Sequence, residues 1–88
     1  MQGYRLFPSR KRDREILGEK IMDAREDIGY TTDDIAELAG ISLVYYEKIE
    51  SGKAEPSVFM TGRIAMVLGV RLDYLVDHIL LPKRNGNS

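Results

Sequence analysis

Eighty-eight residues, 43% of them hydrophobic and 31% charged, fit one small domain with a single core and little stability to spare. The absence of cysteine excludes disulfides and thiolate metal sites, and with His78 the only histidine there is no cluster for zinc, so neither a cofactor nor a metal is expected. The net charge of −1 conceals a division along the chain. Arg5, Arg10, Lys11, Arg12 and Arg14 stand against Asp13 alone near the start, residues 15–79 carry a net −7, and Lys83 with Arg84 returns +2.

The opening MQGYRLFPSRK has Gly3, Pro8 and Ser9 as punctuation and no helical period, and is expected to be an irregular basic and apolar arm over residues 1–11. Tyr4, Leu6 and Phe7 are apolar enough to dock on the domain or a second subunit, or to pair as a short strand. No continuous apolar run suits a signal peptide or a membrane span, so a cytoplasmic protein without membrane contact is expected. The domain proper is placed at 12–81 and a polar tail at 82–88.

A first helix is expected from Arg12 or Asp13 to Gly29, with Leu17, Ile21, Ala24 and Ile28 on one buried stripe and Ile16 on its flank. A second starts at Thr31 or Thr32, where a threonine cap and Asp33-Asp34 suit the positive end of the helix dipole. Its inward residues are read as Ile35, Leu38 and Ala39, with Ala36 small enough to let a partner helix cross closely. Gly40 supplies a sharp turn. The third helix runs from Ser42, a suitable N-cap, to the breaker Gly52; Tyr46 and Ile49 are read as buried together with Ile41, and Leu43, Val44, Glu47, Lys48 and Ser51 as outward. Of the neighbouring tyrosines, Tyr45 is the one expected to be exposed, with its hydroxyl offered to a phosphate. A fourth helix is expected over 57–68, with the stripe Met60, Ile64, Val67 and Leu68, closed by Gly69. A fifth, from Leu72 or Asp73 to about Leu80, is apolar at Leu72, Leu75, Val76, Ile79 and Leu80. Five helices around one core give an all-α domain.

These residues resemble the Cro and lambda-repressor type of helix-turn-helix regulator, the xenobiotic-response-element family, over about residues 16–79. The resemblance rests on Ala24-Arg25-Glu26 and Gly29-Tyr30-Thr31, on Ile35-Ala36 and Ala39-Gly40-Ile41-Ser42, and on Ile49-Glu50-Ser51-Gly52-Lys53 with Pro56-Ser57. Ile64-Ala65, Leu68-Gly69-Val70 and Leu72-Asp73-Tyr74-Leu75 complete it. It implies a lambda-repressor-like fold and a DNA-binding transcriptional regulator. The first helix of the motif would cross the backbone of double-stranded DNA and the second would enter the major groove.

Carried over by position, the resemblance puts Thr32, Ser42, Leu43, Val44, Tyr45, Glu47 and Lys48 on the DNA side, with Lys53 and Ser57 meeting phosphates. The family usually has glutamine where Thr32 stands and often polar residues where Leu43 and Val44 stand. Between residues 26 and 50, seven acids face Lys48 alone, which weakens attraction to phosphate. A homodimer is expected, because one short helix reads few base pairs; Val76, Leu80 and Leu81 are its candidate surface, with Phe59 and Met66. The alternative is a protein-interaction module that uses Leu43, Val44 and Tyr45 for a protein partner. No enzyme is expected: His78 beside Asp77 on a helix cannot form a triad, and it is read as a surface or interface histidine.

Overall fold

The computed structural model describes residues 10–80, apart from the side chain of Leu80, and the readings made for the arm before Arg10 and for Leu81 and the tail lie outside the described residues. The chain forms α1 (Lys11–Ile28), α2 (Thr32–Ala39), α3 (Leu43–Glu50), α4 (Val58–Leu68) and α5 (Leu72–Leu80). All regular elements among the described residues are helices, as expected.

Side-chain caps decide where three of them begin. Thr31 Oγ1 accepts from the Asp34 N–H at 3.0 Å while Asp34 Oδ2 accepts from the Thr31 N–H at 2.9 Å, a reciprocal box that satisfies two otherwise free donors. Ser42 and Ser57 do the same for α3 and α4 in one direction, accepting from Tyr45 and Met60 N–H groups at 3.1 and 3.0 Å. α1 starts one residue before the expected range, at Lys11, because Asp13 turns back to accept from the Arg10 N–H at 3.2 Å.

The core is built from Leu17, Ile21 and Ala24 of α1, Ile35, Ala36 and Ala39 of α2, Tyr46 and Ile49 of α3, Ile64, Ala65 and Leu68 of α4, and Leu75 and Val76 of α5. Each large aliphatic side chain removed from water here contributes about 1.5–3 kcal/mol. Of the stripe residues, Met60 and Val67 pack against it half-buried, and two are exposed. Ile28 lies in the last turn of α1 and is exposed, and Leu38, 58% exposed, faces solvent because Ile35, Ala36 and Ala39 already fill the buried side of a two-turn helix. Thr61 is fully buried instead, its hydroxyl donating to the Ser57 carbonyl at 2.8 Å.

The tightest helix crossing lies between α1 and α3. At Gly18 a Cβ would stand 2.2 Å from the Glu50 carbonyl oxygen, so the backbones are in direct contact there. Ala36 is buried as expected, yet the residue that sets the closest approach is Gly18.

α5 runs back along α1. Lys20 Nζ donates to the Tyr74 carbonyl and to Asp77 Oδ1, both at 2.8 Å, and lies 5.1 Å from the centre of the Tyr74 ring. His78 is tied inward rather than left at the surface, correcting the expectation: its Nε2 sits 3.0 Å from the Asp13 carbonyl and its Nδ1 3.4 Å from Lys20 Nζ. A carbonyl only accepts, so the Nε2–H group donates to Asp13. Val76 also belongs inside, buried in the core of its own chain.

Candidate nucleic-acid interface

The pair α2–α3 is joined by a turn centred on Gly40, whose backbone is left-handed at φ 73°. That conformation lets the Ile41 N–H reach back to the Ala36 carbonyl at 3.0 Å, closing α2 and redirecting the chain. From the far side, Arg63 of α4 donates to the Ala39 carbonyl at 3.2 Å, so the turn is held on both flanks.

α3 is two turns long and one side of it is spoken for. Tyr46 and Ile49 are fully buried, while Val44, Glu47, Lys48 and Ser51 form an exposed stripe at i, i+3, i+4 and i+7. Leu43 and Tyr45, expected outward, are half-buried and pack against the core. Both flank the inward Tyr46–Ile49 side, so the apolar part of the open face shrinks to Val44, 62% exposed. Ser42 is exposed with its oxygen engaged in the cap, Thr32 is half-buried in the first turn of α2, and Ser57 is half-buried as the cap of α4. A capping serine still has its own proton to give to an acceptor. Lys53 is exposed beyond α3, and among the described residues neither it, Lys48 nor Glu47 has a side-chain partner.

The acidity of this region is less available than its composition suggests. Glu50 turns inward, where Arg25 donates from Nε at 2.6 Å and from Nη2 at 3.2 Å and the Tyr46 hydroxyl donates to the same carboxylate. The paired side chains are only 13% and 11% exposed. The hydrogen bonds to Glu50 raise the Arg25 pKa above its ordinary value, and burial, followed by the neighbouring Glu50, pushes the Tyr46 phenol up. At neutral pH the cluster is therefore a closed ion pair with a neutral phenol attached. Asp34 is engaged in the α2 cap, leaving Asp33, Glu37 and Glu47 as the acids of the motif without side-chain partners.

Packing also brings basic residues to the motif. Arg14 Nε lies 3.4 Å from the Gly52 carbonyl and its Nη1 4.0 Å from Glu55, which seats the first turn of α1 against the loop after α3. Arg10, Lys11 and Arg12, at the start of that turn, are exposed. Sequence reading placed Arg10 and Lys11 in a separate arm and Arg12 at the start of the first helix; only the Gly18 crossing and the Arg14 contact show that start beside α3. Of the residues expected at a dimer surface, Phe59 and Met66 are 70% and 83% exposed, one heptad apart on α4. Val76 is interior, and the side chains of Leu80 and Leu81 lie outside the described residues. No helix among the described residues is long and apolar enough to cross a membrane.

The Helix-turn-helix family model matches residues 21–75, a span that contains α2, its turn and α3 entire. The chain is 34% identical over 61 residues to the SPbeta prophage-derived uncharacterized HTH-type transcriptional regulator YonR of Bacillus subtilis, covering 69% of this chain and 56% of that one. It thus spans little more than half the length of the curated relatives it matches. Among solved structures, SinR, the master regulator for biofilm formation, in complex with DNA is 31% identical with a TM-score of 0.65, over 69% of this chain and 98% of that one. The restriction-modification controller protein C.AhdI from Aeromonas hydrophila superposes with a TM-score of 0.70 over 73% of this chain and 97% of that one; at 22% identity this likeness speaks to the fold alone.

Proposed function

This chain belongs to the xenobiotic-response-element type of helix-turn-helix family, and on that premise we propose that it is a cytoplasmic, sequence-specific DNA-binding transcriptional regulator that lays α3 in the major groove as a homodimer. The observation that carries this reading is the one-sided α3: its only open stripe is Val44, Glu47, Lys48 and Ser51, on a helix whose other acid, Glu50, is neutralised from behind by Arg25. Lys53 and the exposed Arg10, Lys11 and Arg12 meet phosphates on the flank, and Thr32, Ser42 and Ser57 add hydroxyl donors at helix starts. Tyr45, half-buried, offers its phenol at the edge of the surface rather than its centre.

Two-fold pairing places two copies of α3 on half-sites about one helical turn apart. We assign that contact to the exposed Phe59 and Met66 of α4, with Leu80 and Leu81 as further candidates from the sequence. The domain at 12–81, an arm at 1–11 and a tail at 82–88 are the corresponding functional parts. The protein-interaction alternative loses its footing, because Leu43 and Tyr45 pack inward and leave Val44 without an apolar neighbour on α3.

Mobility-shift titrations against DNA upstream of its own gene and against sheared genomic DNA, at two salt concentrations, test the proposal. The expected result is binding that weakens steeply with salt, with Lys53→Ala lowering the log–log slope by about 1. Absence of any shift at low salt overturns it.

A further inference from the structure

The open stripe of α3 carries few reading groups, and they differ in kind. Ser51 is set apart because it lies at the C-cap, beyond the last residue of α3, and its hydroxyl proton is spent on the Lys48 carbonyl at 3.1 Å. What is left is Val44, able only to cover a methyl group; Glu47, able only to accept; and Lys48, able only to donate. All three are exposed, and neither charged group is occupied by another side chain among the described residues.

Major-groove edges offer a best complement to each; adenine N6 donates too, but beside the N7 acceptor, which repels a carboxylate. The thymine C5-methyl group is the apolar feature, the cytosine N4 amino group donates, and guanine presents N7 and O6 as acceptors. A carboxylate in the groove stands in the field of two phosphate strands and loses water on docking, so it is tolerated only where it gains a hydrogen bond. Opposite guanine O6 or thymine O4 it would meet another acceptor. Glu47 is thus a filter that penalises wrong bases more than it attracts the right one. Spacing sets the rest. Three residues of helix separate Val44 from Glu47, about 4.5 Å along the axis, against about 3.4 Å between successive base pairs.

Resting on the DNA-binding reading above, we infer that the half-site contains a thymine whose methyl group seats on Val44. One or two base pairs away lies a cytosine whose N4 amino group donates to Glu47, with a guanine in that pair or the next accepting from Lys48. Leu43 and Tyr45 have no part in base selection, since both are turned toward the core.

Selection of bound duplexes from a randomised pool with the full chain, followed by anisotropy titration of the winning site, tests this. The expected site has the thymine and cytosine at that separation, and changing the cytosine weakens binding about ten-fold. Glu47→Gln should move the preference at that one position from cytosine to adenine, because glutamine pairs with adenine N6 and N7. Replacing the thymine by deoxyuridine removes only a methyl group; it should weaken the wild type roughly four-fold and leave Val44→Ala unaffected. Circular dichroism checks that these exposed substitutions keep the helices. A defined site that lacks the cytosine, or whose preference is unmoved by Glu47→Gln, overturns the inference while leaving DNA binding intact. Failure to enrich any sequence, with no binding at low salt, overturns both.

Discussion

Gly18 is the residue on which the position of α3 depends. Its α-carbon faces the backbone of Glu50, and a methyl group there would stand 2.2 Å from the carbonyl oxygen, with no flexible side chain to give way. Gly18→Ala is therefore expected to lower stability by about 2–3 kcal/mol, read from the urea midpoint at unchanged slope, despite alanine's better helix propensity. The sequence gives no warning of this, because Gly18 sits within a continuous helical period and the obstacle is contributed by a residue 32 positions away. The same blindness hid the partner of Glu50. Counted along the chain it is one more acid in an acidic motif; in space Arg25 and Tyr46 close around it.

Helix boundaries were far more legible than helix faces. Thr31, Ser42 and Ser57 each accept a hydrogen bond from the third residue of the following helix, and Gly40 and Gly69 close the helices before them, so local chemistry alone decides these points. Periodicity, by contrast, says which side chains share a side but not where a neighbour stops covering it. That is why Leu38 and Ile28, each on a correct stripe, are exposed, while Leu43 and Tyr45 are drawn in and Val76 is interior. For the candidate interface this means the stripe Val44, Glu47, Lys48 was readable and its narrowness was not. The cap of α3 can be tested by itself. Ser42→Ala should cost about 1 kcal/mol, and hydrogen exchange should show the Tyr45 amide losing protection as its acceptor disappears.

The whole molecule is braced across α1 and α5 by Lys20. Its ammonium group, donating to Asp77, holds that carboxyl below the ordinary carboxylate range. A carboxyl with a lowered folded-state pKa contributes stability above its unfolded value, near pH 4, and loses it as the pH falls through the folded value. Acid unfolding followed from pH 6 to pH 2 should therefore show a limb below about pH 4 that is slightly shallower in Asp77→Asn, matched by an equally small loss of stability at neutral pH because the pair is half-exposed. Charge is divided on the same scale, the basic start of α1 lying beside the loop after α3 and the acids spread over the body. The bond from His78 to the Asp13 carbonyl has a further geometric consequence. By fastening α5 to the opening turn of α1, it closes residues 13–78 into a loop in outline, so that the two ends of the described bundle lie at one pole. The bundle thus acts as a clasp, making neighbours of turns that sequence places 65 residues apart.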